Sequence, residues 1–170
     1  EGLVVQPASA SMLPETEIAM DIMGSSGDVS CELASNETGG SVSNCVYTAG
    51  SNEGVDVLRV RDNNTTEALS VAYVVKNDVT LDLFGERYVI PMGESATLRP
   101  SGGSGFLEIS DYDSTVVSMS AGNIQTLAVG STTATIRDVY TDLSQEISIH
   151  VSAIHATLGT ITVSNNSTGD

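Results

Sequence analysis

In the stretch Glu146-Ile147-Ser148-Ile149-His150-Val151-Ser152-Ala153 every second residue is apolar, a pattern that gives a β-strand one dry face and one wet face. The same period of two recurs along the chain. Ile18, Met20 and Ile22 alternate with Glu17, Ala19 and Asp21; Ala96 and Leu98 alternate with Ser95, Thr97 and Arg99; and the segment from Thr133 to Arg137 turns Ala134 and Ile136 inward. Leu3-Val4-Val5 reads as an opening strand. Helical periodicity is almost absent, and clusters of Gly, Ser, Asn and Pro punctuate the chain about every eight to twelve positions. Short strands at that spacing predict β-sandwiches rather than an α/β fold.

The pattern also repeats on a longer scale. Leu13-Pro14-Glu15-Thr16, running on to Gly27, aligns with Ile90-Pro91-Met92-Gly93, running on to Gly105: a proline turn, an alternating strand, then a Gly/Ser cluster. Ala49-Gly50-Ser51 leading to Val60-Arg61-Asp62 matches Val129-Gly130-Ser131 leading to Ile136-Arg137-Asp138, with four extra residues in the first copy. Each copy closes on a strand, Glu67 to Val75 and Glu146 to Ala153. The chain therefore divides into a first sandwich over 1–76, a second over 77–153, and a C-terminal extension over 154–170. Because the segment opens directly on a strand, with no leader, it reads as a processed mature form or an excised fragment.

Six basic residues against twenty-two acidic ones leave a formal charge of −16, and Lys76 is the only lysine. Such a surface repels phosphate backbones and anionic headgroups, and there is no basic or aromatic platform for nucleic acid, so neither nucleic-acid binding nor membrane insertion is expected. No window of eighteen residues is continuously apolar. Cys31 and Cys45 enclose thirteen residues rich in Ser, Asn and Gly. A bridge between them would remove roughly 3 kcal/mol of unfolded-chain entropy and would imply an oxidising compartment; two free thiols are the alternative.

At the level of motifs, Ser101-Gly102-Gly103-Ser104-Gly105, the run from Ser118 to Asn123-Ile124, and Leu127-Ala128-Val129-Gly130-Ser131-Thr132-Thr133-Ala134-Thr135-Ile136 resemble the bacterial immunoglobulin-like group 2 pattern of intimin- and invasin-type surface proteins. The first unit, with Gln6-Pro7-Ala8-Ser9-Ala10 and Val46-Tyr47-Thr48-Ala49-Gly50-Ser51, resembles a related variant. The resemblance implies tandem immunoglobulin-like sandwiches acting as spacer or display modules, without catalysis.

Candidate chemistry is sparse. His150 falls on the polar side of its strand and His155 in a linker, neither with a Cys, Glu or His at metal-ligand spacing, and no GxSxG elbow is present. No catalytic residue is assigned. Glu108, Asp111 and Asp113 form the best calcium candidate, but Asp-Tyr-Asp supplies two ligands at most where calcium takes six to eight oxygens, and a solvated acidic loop is the simpler reading. A second calcium idea places Asp78 with Asp62 or Glu53 at the junction. Leu13-Pro14-Glu15-Thr16-Glu17 lacks the glycine of a sortase signal and reads as a turn. The recurring Arg61-Asp62 and Arg137-Asp138 read as shared strand-end structure. Asn36, Asn63, Asn64, Asn165 and Asn166 satisfy N-x-Ser/Thr, a sequon that only a glycosylating host would use.

The extension carries a short β-like run, Thr160-Ile161-Thr162-Val163-Ser164. A lone strand cannot bury its face, so the run is the start of a third unit, a strand donated to a neighbouring subunit, or a self-docked or loose tail. The functional expectation is a structural module of an exported cell-surface protein or filament, reaching the exterior through the periplasm. Its partners would be copies of itself or neighbouring domains. The alternatives are an adhesion or carbohydrate-binding module using the loops at 24–28 or 101–105 against a host or surface glycan, and an accessory domain of a larger exported or phage structural protein.

Overall fold

The computed structural model describes residues 2–83 and 85–153; His155, the two C-terminal sequons and the candidate assembly strand at 160–164 lie outside them. The first half forms β1 (Val4–Gln6), β2 (Ser9–Met12), β3 (Glu17–Ala19), β4 (Asp21–Met23), β5 (Val29–Ser35), β6 (Ser41–Ser43), β7 (Val46–Thr48), β8 (Gly54–Asp62) and β9 (Ala68–Val75). The second half forms β10 (Arg87–Pro91), β11 (Ser95–Thr97), β12 (Leu107–Ser110), β13 (Val117–Ser120), β14 (Asn123–Thr126), β15 (Gly130–Asp138) and β16 (Ser144–Ser152). The architecture is the all-β pair of immunoglobulin-like sandwiches that the alternation predicts.

In the first sandwich a sheet of order β2-β9-β8-β5 faces β3-β7-β6, and β1 and β4 form a separate two-stranded sheet. In the second, β10-β16-β15-β12 faces β11-β14-β13. Both copies share one topology. An early edge strand pairs parallel to the last strand, the last two strands form an antiparallel hairpin, and the chain crosses repeatedly between sheets, which is the Greek-key order of immunoglobulin-like domains.

The inward positions of the alternating strands fill two separate cores. Met12, Ile18, Tyr47, Leu58, Val60, Tyr73 and Val75 are fully buried in the first, and Val117, Ile124, Ala134, Ile136 and Val151 in the second, with Ile147 and Ile149 nearly so. Each such Val, Leu, Ile or Met side chain contributes on the order of 1.5–3 kcal/mol by leaving water. The two buried tyrosines of the first core lie with ring centroids 5.2 Å apart, and the Tyr73 hydroxyl donates to the Pro7 carbonyl at 3.1 Å. Burial pushes the Tyr47 phenol up to about 12.

Strand register corrects the alignment of the two copies. Gly54–Asp62 and Gly130–Asp138 are both nine-residue strands that pair with their hairpin partners in the same register, so Gly54, not Gly50, is the counterpart of Gly130. The connection before the strand, 49–53 against 127–129, is two residues longer in the first copy, not four, and in it the Gly50 N–H donates to the Thr38 hydroxyl. At the start of each copy Met12 pairs with Val75 and Ile90 with Val151, and the left-handed turn residues are Glu15 and Gly93, so Pro14 corresponds to Met92 and the two prolines are one position out of step. The turn at 13–16 is closed by the Thr16 hydroxyl on the Leu13 carbonyl.

Cys31 and Cys45 are disulfide-bonded, with Cα atoms 5.2 Å apart. The bridge does more than close a loop. Cys31 lies on β5 in one sheet and Cys45 in the tight turn between β6 and β7 in the other, so it ties the two sheets together beside the first core. Asn44 and Cys45 both take left-handed backbone, as a two-residue hairpin turn requires.

Further along β8, four residues from the Val60 that pairs with Cys31, a carboxylate is fully buried. Asp56 on β8 accepts the N–H groups of Glu37 (2.7 Å) and Thr38 (3.0 Å), the Thr38 hydroxyl (2.7 Å) and the Tyr47 hydroxyl (2.8 Å). Burial works against its ionised form, but the bonds from Thr38, Tyr47 and Glu37 outweigh it and hold Asp56 below the ordinary aspartate value of 3.8. The unfolded chain therefore binds this proton more readily than the folded one. Asp56 stabilises the first sandwich above that pH range, and the contribution is lost as pH falls through and below it. Acid titration of the unfolding midpoint should show a steep loss below about pH 4 that Asp56→Asn flattens while lowering stability at neutral pH. In the second sandwich, Ile149→Asp should abolish the cooperative melt by leaving a charge unpaired among Ile136, Ile147 and Val151; an unchanged calorimetric transition would overturn the assignment of that face.

Candidate functional site at the joint between the sandwiches

The most constrained non-core region is the contact of the second sandwich with the first. It is built from one residue outward. Asp138, the last residue of β15, is fully buried, and its carboxylate accepts the N–H groups of Ser104 (2.8 Å), Gly105 (3.0 Å), Tyr140 (3.2 Å) and Thr141 (3.1 Å) and the hydroxyls of Ser104 (2.8 Å) and Thr141 (2.9 Å). A charge taken out of water must be compensated in this way. The consequence is that the loops at 101–105 and 139–142 are shaped around one anion. Gly103 fits only as glycine: its φ is +69°, and a Cβ there would meet the Asp138 carboxylate oxygen at 2.6 Å.

Both loops then touch the first sandwich. The Ser11 N–H donates to the Gly103 carbonyl at 2.9 Å and the Gly103 N–H donates to the Ser11 carbonyl at 3.1 Å, an antiparallel bridge on the outer side of edge strand β2. Tyr140 packs against the first core, sets its ring edge-to-face on Phe106 with centroids 5.2 Å apart, and donates its hydroxyl to the Asp21 carboxylate. Partial burial, then the bond to Asp21 and the charge of that carboxylate, push the Tyr140 phenol up to about 12, so it is a neutral donor at any physiological pH. An open crevice of about 370 Å³ follows the joint, lined by Ser9, Ser11 and Val74 on one side and Pro100 and Ser104 on the other.

The recurring Arg-Asp pairs are explained by the same geometry. Asp62, the last residue of β8, accepts the N–H (2.6 Å) and hydroxyl (2.6 Å) of Ser26 and the N–H of Asn64 (3.0 Å), as Asp138 does with Ser104 and Tyr140. Those bonds, led by the Ser26 hydroxyl, hold Asp62 below the ordinary aspartate value. Arg61 pairs with Glu32 at 3.2 Å and Arg137 with Glu108 at 3.4 Å, each across to the neighbouring strand and open to solvent.

The calcium candidates are not gathered. Glu108 faces Arg137, Asp111 accepts the Ser110 hydroxyl, and Asp113 caps its own turn by accepting the Thr115 N–H (2.8 Å) and hydroxyl (2.6 Å). Among the described residues no three His, Cys, Asp or Glu side chains are grouped to hold a metal ion. Asp62 lies at the far end of nine-residue β8 from the 76–78 junction, roughly 26 Å away at about 3.3 Å per residue, so it cannot join Asp78 in one cation site. Glu53 accepts the Asn77 N–H at 2.9 Å instead. The loop at 101–105, proposed above as a ligand loop, is occupied by the joint, whereas 24–28 stays at the open end of the first sandwich. His150 is exposed, with its Nδ1 2.8 Å from the Ser131 hydroxyl in a shallow groove that Arg87 borders. Exposed on a sheet face, that pair lacks the water-excluding enclosure nucleophilic catalysis uses.

Sequence reasoning missed Tyr140 and Asp21, whose separation along the chain leaves no local trace. The recurrence of a Gly/Ser cluster and a strand-end Asp was the one available signal. Asp138→Ala should leave several donors buried and unsatisfied, costing on the order of 2–5 kcal/mol. Hydrogen exchange should show the Ser11 and Gly105 amides losing protection while the Leu58 amide, deep in the first core, keeps its own; uniform loss would instead mean global unfolding.

No protein-family model matches the chain, and no curated protein sequence matches it. Among solved structures it is similar to the S-layer protein rSbsC(31-844), with 16% identity and a TM-score of 0.34 over 79% of this chain and 23% of that one. It is similar to a tri-modular GH5 (subfamily 4) endo-beta-1,4-glucanase from Bacillus licheniformis complexed with cellotetraose, with 8% identity and a TM-score of 0.44 over 89% of this chain and 38% of that one. A C-terminal 282-residue fragment of intimin, in complex with the intimin-binding domain of the translocated intimin receptor, matches with 14% identity and a TM-score of 0.39 over 89% of this chain and 63% of the fragment. The chain thus spans only a minor part of the first two proteins. At these scores the likenesses assign neither family nor role, and the immunoglobulin-like fold stands on the strand order and register of the chain itself.

Proposed function

We propose that this chain is a non-catalytic structural module of an extracellular bacterial surface protein or filament, acting in assembly or display. The observation that carries the reading is the joint. The loops at one end of the second sandwich, which a binding module would leave free for a ligand, are held by Asp138 and spent on contacts with the first sandwich. Such a joint favours two sandwiches that transmit position and force as a unit over two that swivel independently.

Two further features support the reading. The Cys31–Cys45 bridge is at home in an oxidising compartment, which supports a location outside the cytoplasm. The charge of −16 keeps such a module soluble at a crowded surface. The motif resemblance to bacterial immunoglobulin-like group 2 domains points the same way, and the partners it suggests are further copies or neighbouring domains of the same protein.

Electron microscopy of the purified chain beside a variant ending at Ala153, at matched concentrations, tests the assembly role. Fibres from the full chain alone would make residues 154–170 an assembly element; dispersed particles from both would favour a spacer within a longer protein. Specific retention of the full chain on a glycan array would replace the structural reading with an adhesive one.

A further inference from the structure

The internal joint can be used as a template, because every residue in it has a counterpart one copy away. Ser11 pairs in register with Val74 and Val89 with His150, and Val74 and His150 hold the same place in their hairpins, so Val89 is the counterpart of Ser11. The Met20 N–H donates to the Cys45 carbonyl as the Leu98 N–H does to Gly122, so the following residues, Asp21 and Arg99, correspond. At the loop end, the Asn63 N–H donates to the Asp28 carbonyl as the Val139 N–H does to Phe106, and Asn64 bonds Asp62 as Tyr140 bonds Asp138. The first sandwich therefore presents a spare loop end, and the second a spare docking face.

The spare face has the marks of a contact surface. Val89 is 59% exposed, the highest value among the large hydrophobic side chains of the described residues, and it sits on an edge strand whose outward N–H and C=O occupy the positions that Ser11 uses to bind Gly103. Open edges of this kind are where sheets recruit partners. The face is also basic in a strongly acidic protein. Arg87 and Arg99 are two of only six basic residues, and among the described residues neither has an ion-pair partner. The spare loop end is acidic: exposed Asp28 stands where Phe106 stands in the internal joint, and Glu67 lies at the end of the same loop cluster. The internal joint matches Tyr140 and Phe106 to Asp21. Its external counterpart would match Asp28 and Asn64 to Arg99.

We propose that the Val89–Arg99 face of the second sandwich docks the loop end of the first sandwich, residues 24–28 and 63–67, of a second copy of this chain. The contact is heterologous, so repeating it gives an open head-to-tail row rather than a closed dimer. Ser25 replaces Gly103 without its left-handed backbone, so side chains and the Arg99–Asp28 pair carry more of this contact than a copied backbone bridge does. The proposal deepens the assembly role proposed above and rests on it.

Sedimentation equilibrium of the full chain over a wide concentration range reads the contact. The wild-type protein should show mass rising with concentration beyond a dimer. Arg99→Glu and Asp28→Arg, both at exposed positions, should each weaken association at least tenfold with unchanged melting temperature. The double variant D28R/R99E should recover it, and a mixture of the two single variants should co-assemble into alternating rows although neither variant does so alone. Association indifferent to Arg99, or not rescued by the charge swap, would overturn this face and leave the assembly role standing. Association gained when the chain ends at Ala153 would overturn it too, assigning the face to the protein's own C-terminal segment. A chain that stays monomeric throughout removes the contact, while the assembly role is judged separately by the microscopy.

Discussion

A carboxylate buried at the end of the penultimate strand of each sandwich is the constraint from which the rest of the molecule's shape follows. An ionised aspartate removed from water is tolerated only when its lone pairs are filled. Asp138 achieves this with four backbone N–H groups and two hydroxyls, all drawn from the loops on either side of it. The anion therefore dictates loop conformation more tightly than any turn propensity could. It requires Gly103, it fixes Ser104, and it aims Tyr140 at Asp21. The relation between the two sandwiches is set by a group that touches neither the first core nor the linker.

The two copies solve a second problem with different chemistry. In each, a side chain on the penultimate strand must catch the connection that leaves the neighbouring strand for the opposite sheet. In the first copy Asp56 does so as a buried anion with Thr38 and Tyr47, in a sandwich that also carries a disulfide. In the second the counterpart of Asp56 is Thr132, whose hydroxyl accepts the Asp113 N–H at 2.8 Å. A neutral acceptor at a more exposed site needs no staple. The first sandwich, with its extra residues between β7 and β8, carries both the charge network and the covalent bridge.

Much of this was legible in the residues alone. The alternation of Ile147, Ile149 and Val151, of Ile18 and Met20, and of Ala134 and Ile136 named inward faces directly, because strand periodicity is a local property of covalent geometry. The repeat was visible for the same reason, although sequence similarity alone placed Pro14 against Pro91, one position out of step. Only hydrogen-bond register, which is a relation between strands, could correct it. The acidic loop around Glu108, Asp111 and Asp113 read as a weak calcium candidate because spacing cannot say where carboxylates point; folding sends the three to Arg137, Ser110 and Thr115.

By itself, then, the sequence determined the secondary structure, the fold class and the presence of two related units, all consequences of which face of a short strand is apolar. Tertiary structure alone decided that Cys31 and Cys45 join opposite sheets, that the recurring aspartates organise loops, and that Gly103 and Tyr140 meet Ser11 and Asp21. Those pairs bring together groups as far as 119 positions apart. Contacts of that kind depend on chain closure around a core, and no local pattern encodes which distant group will arrive.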